Sequence, residues 1–184
     1  MVLFIDHYDS FTNTIVDYIT YLGHKVLIVK TDDNTPKLNN FSHIVIGPGP
    51  GHPDELTKQY QVIKYCEQNN IPLLGICLGH QLIAQYYGSK IIKAKQVYHG
   101  KNSVIRQINH SPIYFNHPES FEVTRYHSLI VDEVKKPLIT TAITRDDEIM
   151  AFQHKSLKIF GVQYHPEAYL TEYGLNTLGN FLKL

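Results

Sequence analysis

The chain has 184 residues, of which 43% are hydrophobic and 18% are charged, a balance typical of a globular protein and not of a disordered one. Seventeen basic residues match seventeen acidic ones, so no overall charge attracts polyanions and we expect no nucleic-acid partner. The apolar run at residues 2–5 is interrupted by Asp6, far short of a signal-peptide core or a membrane span, so we expect no membrane association and a cytoplasmic location.

Length and cysteine content indicate how many domains to expect and whether a metal site or disulfide is present. A chain of this size fits one domain, which we place at residues 1–184. The two cysteines, Cys66 and Cys77, are not spaced as metal ligands or as a disulfide framework. We therefore expect neither a metal site nor a structural disulfide.

The first half of the chain alternates strand and helix patterns. Apolar runs at residues 2–5, 25–29, 43–46 and 71–76 predict strands buried on both faces of a parallel sheet. Helical spacing predicts helices at residues 11–22, 53–67 and 78–87. Ser10 is a candidate cap for the first helix, which Gly23 can end.

The second half changes to short strands broken by turns. We predict strands at residues 103–108, 121–125, 138–144 and 149–153, partly antiparallel, and a last strand at residues 159–163. A closing helix from about residue 171 would bury Leu175, Leu178 and Leu182. The predicted class is α/β, a mostly parallel open sheet flanked by helices in a flavodoxin-like arrangement, with a small antiparallel portion.

The strongest chemical signal is the segment 75–81, which reads GICLGHQ at a predicted strand-to-helix turn. This is the nucleophile-elbow pattern with Cys77 as the nucleophile. The helix start places partial positive charge beside the sulfur and favours the thiolate, and the N–H of Leu78 is a candidate oxyanion donor. The alternative is a buried structural cysteine, which is the reading we prefer for Cys66 in mid-helix.

A base for this thiol is predicted at His165, within the segment YHPE that follows the last strand. Pro166 favours an extended conformation at His165, and alternate side chains of an extended chain share a face, so His165 and Glu167 can act as a pair. His165 would take the thiol proton, and Glu167 would fix its tautomer.

A third feature is GPGPG at residues 47–51, directly after a predicted strand. Its backbone can approach a ligand closely, and Gly49 is a candidate second oxyanion donor. The alternative, a nucleotide-binding loop, lacks both the Gly-x-Gly-x-x-Gly spacing and a Gly-Lys-Ser/Thr ending.

Taken together, these residues resemble the class I, triad-type glutamine amidotransferases over essentially the whole chain. The likeness is greatest to the glutaminase subunits of anthranilate synthase and 4-amino-4-deoxychorismate synthase. The motifs that resemble the family are DHYDSFT at 6–12, GPGPG at 47–51, GICLGHQ at 75–81, HGK at 99–101, RYHSL at 125–129 and GVQYHPE at 161–167. His7, Asn13 and Ala168 depart from the common pattern, which usually has Asn, Tyr and Ser there.

The resemblance implies roles for several groups of residues. It implies the triad Cys77, His165 and Glu167. The glutamine site it implies consists of Gly49, Pro50, Gly51, Gln81, Ser128 and Leu129. The surface facing a synthase subunit would include Tyr8, Asp9, Ser10, His99, Gly100 and Lys101.

The resemblance also implies a reaction and a partner. L-glutamine would be hydrolysed through a γ-glutamyl thioester on Cys77, and ammonia would pass to a chorismate-binding synthase subunit in a hetero-oligomer. No cofactor is expected in this chain, whereas magnesium is expected in the partner. The product we favour is aminodeoxychorismate, on the folate branch. The alternatives are anthranilate on the tryptophan branch, a subunit shared by both, a free-standing γ-glutamyl hydrolase and an inactive regulatory subunit.

Overall fold

All 184 residues are described by a computed structural model, which contains eleven strands and four α-helices. The strands are β1 (Val2–Asp6), β2 (Val26–Lys30), β3 (His43–Ile46), β4 (Leu73–Ile76), β5 (Ile91–Lys93), β6 (Lys101–Gln107), β7 (Ser120–Arg125), β8 (Leu129–Val131), β9 (Leu138–Thr144), β10 (Ile149–His154) and β11 (Ile159–Val162). The helices are α1 (Thr12–Tyr21), α2 (Tyr60–Asn69), α3 (Leu78–Tyr86) and α4 (Gly174–Phe181). Short 3₁₀ segments lie at Leu38–Asn40, Pro53–Gln59 and Pro112–Tyr114.

Nine strands form one sheet in the order β2-β1-β3-β4-β11-β10-β9-β6-β7, and β5 pairs with β8 separately. The first five strands of this order run parallel, and the remaining four continue the sheet antiparallel. The predicted fold class, an open α/β sheet with an antiparallel portion, is confirmed.

The core lies on both faces of the parallel strands, as side-chain alternation in β1 illustrates. Val2 and Phe4 belong to a cluster that includes apolar residues of α1 and α4. Leu3 and Ile5 belong to a second cluster that includes residues of α2 and α3. Helices therefore cover both faces of the parallel half, which explains its near-continuous apolar strands. No helix is long and apolar enough to cross a membrane.

The prediction of a strand buried on both faces was wrong for β2. β2 forms the outer edge of the sheet, and Leu27 and Ile28 each remain 39% exposed although they point to opposite faces. Apolar character alone does not distinguish an edge strand from a central one, because both satisfy the same strand propensity.

The helix boundaries also differ in detail. Ser10 is exposed and caps nothing; Asp9 instead accepts a hydrogen bond from the backbone N–H of Phe11 (2.8 Å), just before α1. The helix predicted at residues 53–67 divides into a 3₁₀ segment and α2. The closing helix, predicted from about residue 171, begins at Gly174; Leu178 and Leu182, which directly follows the helix, are buried as predicted, whereas Leu175 is partly exposed.

Candidate active site

Cys77 occupies the sharp turn between β4 and α3. Its backbone has φ +51° and ψ −101°, a left-handed conformation that non-glycine residues rarely adopt. The Cys77 N–H donates to the carbonyl of Val162 on the neighbouring strand β11 at 2.8 Å, which anchors the turn to the sheet. The nucleophile-elbow geometry expected from the sequence is therefore present.

The two glycines that flank this turn have no room for a side chain. A Cβ on Gly79 would lie 2.1 Å from the carbonyl oxygen of Ile46, at the end of β3. A Cβ on Gly75 would lie 2.4 Å from the carbonyl oxygen of Gly79. Glycine at both positions lets the start of α3 pack directly against the ends of the parallel strands, with the helix N-terminus beside Cys77.

His165 and Glu167 form a buried pair just beyond β11. His165 Nδ1 lies 2.6 Å from Glu167 Oε1, and each residue is about 2% exposed. The extended conformation predicted to pair the two side chains is wrong, because the chain turns after His165. It turns at Pro166, where the N–H of Ala168 donates to the carbonyl of His165 at 3.2 Å, and this turn brings the two side chains together.

The electrostatics of His165 favour its charged form. Burial lowers the pKa of the imidazole, but the Cys77 side chain and the Glu167 carboxylate outweigh burial and raise that pKa well above its ordinary value. The second ring nitrogen, Nε2, makes no hydrogen bond in the chain although Cys77 is its neighbour. His165 therefore offers a ring nitrogen to the thiol while Glu167 fixes the other one.

The sulfur of Cys77 has two further polar neighbours. Gln163 Nε2 lies 3.7 Å from Sγ, and the carbonyl oxygen of Tyr126 lies at the same distance. The amide of Gln163 is a donor, so it stabilises a thiolate, whereas the carbonyl of Tyr126 accepts a hydrogen bond from the thiol form.

A cavity of about 240 Å³ opens above the thiol. It is lined by Cys77, Leu78 and all six residues that the family resemblance assigns to glutamine binding, namely Gly49, Pro50, Gly51, Gln81, Ser128 and Leu129. Val97, Tyr98, His99, Tyr126 and His127 complete the lining. His165 and Glu167 do not line the cavity themselves; of the three candidate catalytic residues, only Cys77 does.

The two candidate oxyanion donors are free to bind a ligand. The backbone N–H groups of Gly49 and Leu78 make no hydrogen bond to another backbone group, and both residues line the cavity. A Cβ on Gly49 would lie 2.4 Å from His7 Cβ, so only glycine brings this segment so close to β1.

The segments predicted to face a partner lie beside this cavity. Tyr8 is 57% exposed and donates to Asp32 at 2.9 Å, Asp9 is half-buried, and the others are exposed: Ser10, His99, Gly100 and Lys101. The ring of Tyr126 contacts both segments, at 5.0 Å from Phe11 and 5.4 Å from His99, measured between ring centroids. The two segments therefore border one surface, although their role there stays a prediction.

Sequence reasoning gave no role to several residues around the thiol. Gln163, Tyr126 and His127 fall inside the quoted motifs, so their positions were available, but nothing in the pattern indicated which side chains point inward. Glu148, which pairs with Arg125 behind the cavity, lies outside every motif. The structure has no group of three or more His, Cys, Asp or Glu side chains arranged to hold a metal ion.

Comparison with known proteins places this geometry in a family. Residues 3–184 match the family model for glutamine amidotransferase class-I. The chain belongs to the class I glutamine amidotransferases. The resemblance noted in the sequence is thus confirmed, and this glutamine amidotransferase carries its nucleophile elbow within the matched residues.

Individual relatives span nearly the full length of this amidotransferase. Anthranilate synthase component 2 of Saccharolobus solfataricus is 42% identical, covering 99% of this chain and 97% of its own. Aminodeoxychorismate/anthranilate synthase component 2 of Bacillus subtilis is 39% identical, covering 100% of this chain and 96% of its own. The crystal structure of a glutamine amidotransferase from Thermotoga maritima shares the fold, with a TM-score of 0.83 over 99% of this chain and 96% of its own at 19% identity.

Proposed function

We propose that this chain is the glutaminase subunit of a chorismate-aminating synthase and that Cys77 is its nucleophile. The observation that carries the proposal is the strained Cys77 at the base of a glutamine-sized cavity, with the His165–Glu167 pair at 2.6 Å behind it. Cys66 is the natural contrast, because burial raises the pKa of that thiol to about 12 and it lines no such cavity.

In the proposed first half-reaction, His165 holds the proton taken from the Cys77 thiol, as its raised pKa favours, and the thiolate sulfur attacks the side-chain amide carbon of glutamine. The N–H groups of Gly49 and Leu78 stabilise the negative charge that develops on the amide oxygen. Protonated His165 then gives its proton to the departing nitrogen, which leaves as ammonia, and a γ-glutamyl thioester remains on Cys77.

In the second half-reaction, His165 takes a proton from water, and the resulting hydroxide attacks the thioester. The C–S bond then breaks, glutamate leaves, and the proton that His165 took from water restores the resting Cys77–His165 pair. Glu167 accepts the hydrogen bond from Nδ1, which holds the imidazole in one tautomer and stabilises its charged form. The raised pKa of His165 suits this role, since the charged imidazole is the species needed when ammonia departs.

The experiment that tests the nucleophile separates the nitrogen source from the synthase reaction. Cys77→Ala should abolish chorismate amination with glutamine while leaving amination with ammonium salts intact in the presence of the synthase subunit. Cys66→Ala is the matched control, because it removes a buried thiol from α2 and should leave both reactions unchanged. Loss of both nitrogen sources in Cys77→Ala would contradict this division of labour.

A product assay identifies the acceptor of the ammonia. From the sequence we favour aminodeoxychorismate as the product. The names of the relatives give specific support to a second candidate, anthranilate, since both relatives described above include anthranilate synthase in their names. Tagged protein recovered with its partners and given glutamine and chorismate would yield aminodeoxychorismate, anthranilate or both, distinguishable by mass and fluorescence.

The same preparation tests the free-standing hydrolase. A glutaminase subunit should hydrolyse glutamine much faster once the synthase subunit is added, whereas a solitary γ-glutamyl hydrolase would show no increase. Glutamine hydrolysis without any aminated chorismate would move the assignment to another acceptor.

A further inference from the structure

A buried ion pair lies behind the cavity and has no part in the chemistry proposed above. Arg125 at the end of β7 is 1% exposed, and Glu148 just before β10 is 6% exposed. Desolvating two charges offsets most of their attraction, so a buried pair of this kind is weak evidence of a stabilising role. Its contacts indicate another role.

The guanidinium of Arg125 bonds in three directions. One terminal nitrogen pairs with Glu148, the other donates to Ser103 Oγ at 3.2 Å, and Nε donates to His127 Nε2 at 3.0 Å. The ring of Tyr98 lies against the guanidinium, with its centroid 3.4 Å from Cζ, and its hydroxyl donates to Glu148 at 3.2 Å. Arg125 is therefore held in one position from several sides.

This arrangement determines the tautomer of His127. Arginine Nε is only a donor, so His127 Nε2 must accept, and the ring proton must lie on Nδ1. Nδ1 is 2.9 Å from the carbonyl oxygen of Leu129, to which it donates. Burial and the charge of Arg125 lower the pKa of His127 to about 3, so the ring stays neutral in this tautomer at ordinary pH.

The carbonyl of Leu129 in turn orients a side chain in the cavity. It accepts a second hydrogen bond from Gln81 Nε2 at 3.0 Å, and the same nitrogen donates to Gln163 Oε1 at 3.0 Å. Both acceptors fix the amide of Gln81 so that its oxygen, which accepts no hydrogen bond in the chain, is the group available to a ligand. That oxygen suits the amino group of an amino acid.

We propose that Arg125 and Glu148 are positioning residues for glutamine binding: their ion pair holds His127, which holds the Leu129 carbonyl and with it the amide of Gln81. The proposal rests on the proposed glutaminase function and adds to it a set of residues that affect how tightly glutamine binds. A purely structural pair would instead affect only the stability of the fold.

A paired substitution separates the two roles. Arg125→Met with Glu148→Met removes both charges together and keeps similar volume, so no lone charge is left buried and the fold should persist. The assay is alkylation of Cys77 by a chloroketone analogue of glutamine, which needs the pocket, compared with alkylation by iodoacetamide, which needs only the thiol.

We expect the double variant to weaken reversible binding of the chloroketone (KI) about tenfold, as for one lost buried hydrogen bond, with less than about a threefold change in its limiting rate. Iodoacetamide alkylation should change less than about twofold. A KI within about twofold of wild type in the folded double variant would overturn the proposal, as would equal slowing of both reagents.

Two single variants keep the test decisive if the double variant unfolds. His127→Phe removes both the donor to the Leu129 carbonyl and the acceptor for Arg125, so it should raise KI about tenfold. Tyr114→Phe is the destabilised control, because it removes the hydroxyl contact with Tyr164 (3.2 Å) in the core and should leave KI unchanged.

The result for wild type distinguishes the two proposals. If glutamine fails to protect wild-type Cys77 from the chloroketone, the proposed function fails and the inference fails with it. If glutamine protects but the KI of the folded double variant equals that of wild type, only the positioning role is refuted. Where the double variant unfolds, a wild-type KI in His127→Phe refutes that role instead.

Discussion

Substituting Gly79 by alanine should inactivate the enzyme, because the backbone of β3 leaves no room for the added Cβ. The added Cβ would lie 2.1 Å from the Ile46 carbonyl oxygen, whereas real Cβ contacts essentially never fall below 3.0 Å. Relief requires a separation of about 0.9 Å between α3 and β3, both backbone, so no side-chain rotation can supply it. The displaced segment carries Leu78 and lies next to Cys77.

The expected magnitudes follow from that displacement. Overpacking of this kind destabilises a fold by about 1–3 kcal/mol. A shift of about 1 Å at reacting groups lowers turnover by about 100-fold. Glutamine turnover with the synthase subunit, the rate of Cys77 alkylation by the chloroketone and the free energy of unfolding in urea should be measured on one preparation.

Gly88→Ala is the matched control at the other end of the same helix. A Cβ there meets no atom within 4 Å, so only the positive φ of +87° is penalised, by about 1 kcal/mol. The two variants should lose comparable stability, but Gly88→Ala should keep its turnover. More than half of wild-type turnover in Gly79→Ala, or an equal loss in Gly88→Ala, would refute the reasoning.

Two further expectations concern histidines. His165→Ala should lower glutaminase turnover by about 10³-fold, and Glu167→Ala about tenfold less, since it removes an orienting group and leaves the base; the reverse order in steady-state rates would contradict these roles. His43 is buried and neutral, because burial and then the charge of His24 lower its pKa from 6.5 to about 4. As pH falls, the unfolded chain binds a proton at His43 before the folded chain does, so stability is lost as pH falls from 6.5 towards about 4. In urea unfolding, His43→Phe should reduce the pH dependence of the free energy of unfolding in this range by about 1 kcal/mol per pH unit. An unchanged dependence would exclude His43 as a source.

The positions of the candidate catalytic residues were more predictable from the sequence than the contacts that hold them there. Cys77 could be found because an elbow requires small residues at fixed offsets, and the structure shows why: the backbone of β3 occupies the space that a side chain at Gly79 would need. The pairing of His165 with Glu167 was predicted correctly from a two-residue spacing, but the structure attributes it to a turn at Pro166.

Features that depend on distant parts of the chain were not predictable. The edge position of β2 follows from the strand order, which apolar character does not encode, so the exposure of Leu27 was missed. Glu148 was missed for a similar reason. Its partner Arg125 lies 23 residues earlier, and only the folded sheet brings the Glu148 carboxylate to the Arg125 guanidinium.

The adjacency of β4 and β11 has a consequence for how the enzyme is made. Ile76 faces Val162 across this strand pair, so Cys77 and His165 are neighbours in space although the whole antiparallel half of the sheet separates them in the chain. A chain growing from its amino terminus exposes Cys77 long before His165 exists, and contacts of such long range form late in folding. With His165 as the proposed base, we expect the nascent protein to hydrolyse no glutamine until its last strand has been inserted.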